Sequence, residues 1–153
     1  MAARKKAATT DWEEKFLDKI KCCHKRNLKK VVDRIMKRTT TAKAGLVTRS
    51  KKYDVECNIT VDELRHLVYE AYGKPCKYCG RPITIQNLVF DHIVPISKNG
   101  SSNKENLQVI CKTSNGMKGS LTEHHFNMLL EWLKTIPEEL EKDIRIRLSK
   151  GIH

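Results

Sequence analysis

The stretch LVFDHIVPI, residues 88–96, combines the composition of a buried β-strand with two ionisable residues. Seven of its nine residues suit a strand in a protein interior, yet Asp91 and His92 stand side by side at its centre. Burying such a pair costs free energy unless a partner or a metal ion compensates. We therefore predict either that the strand ends at a cleft, where Asp91 and His92 are not fully buried, or that the two residues bind a partner or a metal ion.

The composition of the chain indicates a soluble protein. It has 153 residues, 39% hydrophobic and 31% charged, a length that fits one domain with room for a small appendage. No apolar run approaches the ~20 residues that a membrane span needs, so no membrane partner is predicted. The positively charged N-terminus is not followed by the apolar segment of a secretory signal. We therefore expect a cytoplasmic protein whose cysteines are mostly reduced.

The positive charge of the chain is confined to its first third. Residues 1–52 hold 17 Lys or Arg against five acidic residues, which accounts for the whole net charge of +12. Such a block is typical of proteins that bind a polyanion, because Lys and Arg near phosphates release condensed counterions. A solvated helix face and an anionic membrane surface are the alternatives. The residues expected to contact nucleic acid are Lys5, Lys6, Lys25, Arg26, Lys29, Lys30, Arg34, Lys37 and Arg38.

Periodicity predicts a mainly helical α+β protein. A helical pattern covers residues 11–36, with an interruption possible at 24–27, and the threonine-rich residues 37–52 are expected to form a linker or turn. Thr60 and Glu63 fit a capping box. The remaining elements are predicted as a helix at 61–72, a strand at 107–111, a helix opening at Asn115, a helix at 122–134 and a last helix that begins at Pro137 and ends near Gly151.

The central part of the chain resembles a known family. The segments CKYCG (76–80) and VFDHIVPISKNGSSNKENLQVICKTSNGMKG (89–119) resemble the HNH nuclease domain, the ββα-metal fold of many phage, homing and restriction endonucleases. The resemblance implies a small ββα core flanked by helices. On this reading, residues 1–52 form a basic helical arm, residues 53–135 the nuclease domain with its motif core at 76–120, and residues 136–153 a C-terminal helix that either packs on the core or mediates dimerisation.

The resemblance also assigns roles to individual residues. His92 would be the general base that activates water, a role that suits an imidazole largely neutral at pH 7. Asp91 and Asn115 would hold one Mg²⁺ or Mn²⁺ ion through hard oxygen ligands. Asn106 would tie down the loop and orient the histidine, and Lys118 would contact the scissile phosphate. Because neighbouring side chains of a regular strand point to opposite faces, Asp91 and His92 are expected at the strand's end, near Pro95.

The cysteines raise the question of a structural zinc ion. Cys76 and Cys79 form a C-x-x-C pair, which with a second pair would complete a Cys₄ site. In zinc-bearing members of the family the second pair precedes the catalytic Asn, but here Cys111 is followed by Ser114 at the fourth position. The site is therefore either degenerate, with the cysteines as small core residues, or completed by another ligand: His124, His125, Cys57 or water.

The leading functional hypothesis is a metal-dependent DNA endonuclease of phage or mobile-element type. The alternatives are a non-catalytic DNA-binding module that retains the fold and, ranked last, a secreted nuclease toxin with an inhibitor partner. One active site predicts one strand cut per visit, so double-strand cleavage would need a homodimer or two visits. The sequence leaves the oligomeric state, the sequence specificity and the choice between DNA and RNA open.

Overall fold

The computed structural model describes residues 11–20 and 28–151. Over those residues the expected α+β class is confirmed, with six helices around one two-stranded antiparallel sheet. The residues Lys5, Lys6, Lys25 and Arg26, and the predicted interruption at 24–27, lie outside the described residues. The elements are α1 (Asp11–Ile20), α2 (Leu28–Tyr53), α3 (Val61–Ala71), β1 (Leu88–His92), β2 (Leu107–Cys111), α4 (Lys112–Lys118), α5 (Glu123–Leu133) and α6 (Glu138–Ser149).

The centre of the fold is a ββα unit made of β1, β2 and α4. The two strands pair antiparallel, with Asp91 opposite Gln108 and His92 opposite Leu107. The connection between them contains two short 3₁₀ turns, Ile96–Lys98 and Lys104–Asn106. Helix α4 follows β2 without a linker. This arrangement confirms the ββα core that the sequence resemblance implies and places Asp91 and His92 at the end of β1.

Helix α2 corrects the prediction that residues 37–52 form a linker or turn. The helix runs unbroken from Leu28 to Tyr53. The threonine hydroxyls bond back to carbonyls of the preceding turn, as in the bonds from Thr39 to Ile35 and Met36, so they do not compete with the helix. Leu46 and Ser50 are buried one turn apart on the face that meets the core. Tertiary packing therefore outweighs the low helix propensity of the β-branched residues and glycine.

The first two helices share a hydrophobic core with the sheet. Phe16 of α1 and Ile35 of α2 belong to the same buried cluster as Leu88 and Ile110 of the two strands. The boundary expected at residue 52 falls within α2. In the part of the chain that the structure describes, the basic segment is thus a component of the folded unit.

The local signals of α3 and α4 differ in how well they predict the structure. The capping box of α3 is present, since Thr60 Oγ1 accepts from the Glu63 amide and Glu63 Oε2 accepts from the Thr60 amide. Helix α4 instead begins at Lys112, three residues before the predicted start at Asn115. Its N-cap is Cys111, whose Sγ accepts from the amide of Ser114. Because a thiol is an uncommon N-cap, cap preferences do not indicate a helix start at Lys112.

The C-terminal helix packs on the helix that follows β2. A Cβ added to Gly116 of α4 would lie 2.3 Å from the carbonyl oxygen of Ser149 in α6, so the two helices approach so closely that only glycine fits. Of the two options for residues 136–153, packing on the core is therefore seen for α6, and dimerisation stays a prediction. No helix among the described residues is both long and apolar enough to cross a membrane.

Candidate active site

Four of the predicted site residues line one cleft. Asp91, His92, Asn115 and Lys118 border an open space of about 290 Å³ between the end of β1 and helix α4. The end of α2 forms another wall of the same cleft and contributes Arg49 and Tyr53. Because His92 is the last residue of β1, both it and Asp91 reach the cleft, although neighbours in a strand ordinarily face opposite ways.

His92 is buried and oriented by a pair of serines. Its Nε2 lies 2.9 Å from Ser102 Oγ, and Ser50 of α2 donates to the same oxygen at 2.7 Å. Burial, together with the positive charges of Arg49 and Lys118, lowers the pKa of His92 to about 4. The ring is therefore neutral at pH 7, as a general base must be.

Asp91 is held in an ion pair within the protein. Lys118 Nζ lies 3.2 Å from Oδ1 and 3.1 Å from Oδ2 of Asp91, and it also donates to the carbonyl oxygen of His92 at 2.6 Å. Gln108 Nε2 donates to Asp91 Oδ2 at 2.9 Å. Burial raises the pKa of Asp91, against the lowering effect of the bonds from Gln108 and Lys118. The Lys118 side chain is completely buried, so a contact with a phosphate would require it to leave Asp91.

Asn106 closes the loop that follows His92. Its side chain accepts from the Val94 amide at 2.8 Å and donates to the carbonyls of Val94 and Ser101. Gly100 faces this junction, where a Cβ would lie only 1.8 Å from the Val94 oxygen. These bonds fix the chain immediately after His92, which is the geometry expected of a residue that ties down the loop.

The oxygen ligands in the cleft suit a hard divalent cation. Asp91 offers a carboxylate and Asn115 an amide, both at the same cleft, and Mg²⁺ and Mn²⁺ prefer such ligands. Asn115 is half-buried on the first turns of α4. With two protein ligands, an ion would keep positions open for a substrate oxygen. The residues present therefore fit the catalytic metal that the family resemblance implies.

The three candidate zinc ligands Cys76, Cys79 and Cys111 lie together. The Sγ atoms of Cys76, Cys79 and Cys111 are within 4.8 Å of one another, and Ser114 Oγ lies 3.5 Å from Cys76 Sγ and 3.3 Å from Cys111 Sγ. Although burial raises the pKa of Cys76, its hydrogen bonds with Ser114 and with backbone amides lower it to about 7. Among the residues that the structure describes, no His or carboxylate joins this group, and Cys57 contacts Lys43 elsewhere.

The predicted nucleic-acid contacts within α2 divide into two kinds. Lys29, Lys30, Arg34 and Lys37 are exposed and accessible to a polyanion. Arg38 is half-buried, and its guanidinium donates to the carbonyl oxygens of Ile85 and Leu88 at 2.9 Å and 2.5 Å. These bonds make Arg38 a structural residue that joins α2 to the start of β1, which the expectation of a free surface cation did not foresee.

Several residues of the site were not identified from the sequence. Ser102 and Gln108 lie inside the motif, but nothing in their spacing distinguishes them from loop and strand residues. Arg49 lines the cleft and Ser50 bonds to Ser102 because residues 37–52 are helical. The prediction of a linker at 37–52 therefore gives no reason to place either residue at the site. A helical periodicity count across Thr39, Leu46 and Ser50 is the signal that would have found them.

Comparisons with known proteins agree with this geometry. The family model for HNH endonuclease matches residues 76–121. Over 46 residues the chain is 50% identical to a CRISPR-associated endonuclease Cas9 of Corynebacterium diphtheriae, a match that covers 29% of this chain and 4% of the length of that relative. The matched family segment contains Asp91, His92 and Asn115 but not Arg49. The similarity to the HNH endonuclease family therefore covers residues 76–121, which include β1, β2 and α4.

Proposed function

We propose that this protein is a metal-dependent endonuclease that hydrolyses phosphodiester bonds of DNA. The observation that carries the proposal is the position of His92, neutral and held by Ser102, in the same cleft as Asp91 and Asn115. The family match and the similarity to the Cas9 endonuclease support nuclease chemistry. A non-catalytic module would have no chemical need for a general base beside two hard oxygen ligands.

The chemistry assigned to His92 follows from its hydrogen bonds. The tautomer that carries its proton on Nε2 donates to Ser102 Oγ and leaves the lone pair of Nδ1 for the attacking water. His92 takes the water proton as the oxygen bonds to phosphorus, the bond from phosphorus to the 3′ oxygen breaks, and the 3′ oxygen takes a proton from a second water molecule. The products are a 5′-phosphate and a 3′-hydroxyl. A divalent ion held by Asp91 and Asn115 would stabilise negative charge on the phosphate and the leaving oxygen.

The basic face of α2 is proposed to contact the DNA backbone. Lys29, Lys30, Arg34 and Lys37 are exposed along this helix, and Arg49 at its far end reaches the cleft. Such side chains bind phosphates and position the duplex without reading bases. With one cleft per chain, the enzyme is expected to cut one strand per encounter. A cytoplasmic role in a phage or mobile element rests on family analogy alone.

Cleavage of supercoiled plasmid tests the proposal directly. The wild-type protein should convert the plasmid to nicked or linear DNA in Mg²⁺ or Mn²⁺ and leave it intact in EDTA. Without the ion, the negative charge that develops on the phosphate and the leaving oxygen would lose its main stabilisation. Agarose gel electrophoresis of a time course separates nicking from double-strand cleavage. Intact plasmid under every condition, together with a retained gel shift, would instead favour a non-catalytic DNA-binding module.

The cysteine cluster is proposed to hold zinc weakly, with the Ser114 hydroxyl near the fourth ligand position. The close approach of three thiols and the low pKa of Cys76 support this assignment. Ser114→Cys should raise zinc affinity by roughly tenfold or more, because a thiolate is a far better ligand than a neutral hydroxyl. Competition with a chromogenic chelator in reducing buffer measures the affinity. Thr113→Cys, which adds a thiol at the neighbouring position, is the matched control, and equal affinities of the two variants would contradict the assignment.

A further inference from the structure

The cleft contains a cation that the HNH segment does not supply. Arg49 lies in α2, outside the matched residues 76–121, and its exposed side chain lines the cleft beside Asp91 and His92. A charged side chain at the mouth of a cleft is positioned to meet a charged substrate.

The other cation at the cleft is already engaged. Among the residues that the structure describes, Lys118 and Arg49 are the Lys and Arg residues that line this space. Lys118 donates to both oxygens of Asp91 and to the His92 carbonyl, and its side chain has no exposed surface. Moving it to a phosphate would leave Asp91 buried without its counter-charge, which is strongly unfavourable. Arg49 is therefore the cation of the cleft that is available to a substrate.

The backbone of Arg49 is fixed relative to the general base. The next residue, Ser50, is buried and donates to Ser102 Oγ, which in turn contacts His92 Nε2. The amide of Val55 donates to the Ser50 carbonyl at 3.0 Å, which secures the end of the helix. The same hydrogen bonds that orient His92 thus hold the end of α2 against the cleft. An arginine on such a support is preorganised for its ligand.

We infer that Arg49 binds the scissile phosphate and stabilises the charge that develops on it during cleavage. The inference rests on the proposed nuclease function and adds a substrate-binding residue from outside the HNH segment. Water attack places extra negative charge on the non-bridging oxygens of the phosphate. A guanidinium donates two parallel hydrogen bonds to such a group and remains charged at every working pH.

Three variants and one chemical rescue test this assignment. Arg49→Ala should lower kcat for plasmid cleavage by about 10²- to 10³-fold, the usual cost of removing one charge-stabilising donor. Arg49→Lys keeps the positive charge but loses the two parallel hydrogen bonds of the guanidinium. Its kcat should therefore lie between those of Arg49→Ala and the wild type. Lys51→Ala removes an exposed cation at the same end of α2 that does not line the cleft, so it should cleave like the wild type. Millimolar guanidinium should partly restore cleavage by Arg49→Ala.

The outcomes separate this inference from the proposed function. A wild-type protein that does not cleave with any metal would refute the nuclease itself. If the wild type cleaves and Arg49→Ala matches Lys51→Ala, the nuclease stands and the role of Arg49 is wrong. Loss of cleavage that neither lysine nor guanidinium relieves would also overturn the inference, since it would assign the effect to the packing of α2. Equal melting temperatures of Arg49→Ala and the wild type are expected because the side chain is exposed.

Discussion

His92→Ala will lower the rate of metal-dependent cleavage by orders of magnitude while leaving DNA affinity near that of the wild type. Removing the general base should lower kcat by about 10²- to 10⁴-fold, the range that proton transfer by a positioned side chain contributes. A time course of plasmid cleavage at saturating protein measures this loss. Among the described residues that line the cleft, Asp91 is paired with Lys118 and Asn115 cannot accept a proton at neutral pH, so neither of these two replaces the base.

The unchanged affinity follows from the charge state of His92. Burial, together with Arg49 and Lys118, lowers the pKa of the ring to about 4, so the residue carries no positive charge at pH 7. DNA affinity depends chiefly on cations that release counterions from the phosphates, and the substitution removes none of them. The slope of affinity against salt concentration should therefore be the same in both proteins. Fluorescence anisotropy with labelled duplex in EDTA gives the two slopes.

A matched histidine variant separates catalysis from folding. His124 is exposed on α5 and lies away from the cleft, so His124→Ala should cleave like the wild type. Thermal melts of His92→Ala then show whether the loss of its bond to Ser102 disturbs the fold. A parallel loss of affinity and cleavage in a protein that melts normally would mean that His92 binds DNA and is not the base.

The parts of the fold with strong local signals were predictable from the sequence. The capping box of α3, the short strands β1 and β2 and the C-terminal helices all reflect periodicity or cap chemistry that a few neighbouring residues specify. The convergence of Asp91, His92 and Asn115 on one cleft was predictable for another reason: their spacing matches the ββα motif. In both cases the information lies in a short segment of chain.

The parts that depend on distant contacts were not predictable in this way. Arg38 carries the composition of a surface cation, but carbonyls some 50 residues away hold its guanidinium. Residues 37–52 have poor helix propensity, and packing on the core makes them helical. The serines that orient His92 are 52 residues apart in sequence. Such contacts leave no local pattern, because each partner alone is typical of a loop or a surface.

Asp91 in the LVFDHIVPI stretch is a buried charge that is tolerated because Lys118 supplies its counter-charge, so removing either partner should have a large effect on stability. Lys118→Met should destabilise the metal-free protein by about 3–5 kcal/mol, because it leaves the Asp91 carboxylate buried with Gln108 as its remaining side-chain donor. Asp91→Asn should cost a similar amount by leaving the ammonium unpaired. Since folded proteins of this kind are stable by about 5–15 kcal/mol, either change should be obvious in a urea titration of the metal-free protein.

The double variant and an exposed pair make this prediction specific. Asp91→Asn combined with Lys118→Met removes both charges and should lose clearly less stability than the two single changes together, since neither partner is left buried alone. Lys134→Met breaks the exposed ion pair with Glu131 and should leave the unfolding midpoint nearly unchanged. Additive losses in the double variant would mean that Asp91 and Lys118 contribute to stability independently, and the assigned ion pair would be wrong.

The same variants report on the metal site without any measurement of cleavage. In the Lys118→Met protein the Asp91 carboxylate lacks its buried counter-charge, so a divalent cation that binds there should recover part of the lost stability. Mg²⁺ or Mn²⁺ should therefore raise the unfolding midpoint of Lys118→Met more than that of the wild type, and should have little effect on Asp91→Asn. If all three proteins respond equally to the ions, Asp91 is not a metal ligand, and Lys118 balances a carboxylate whose role is structural.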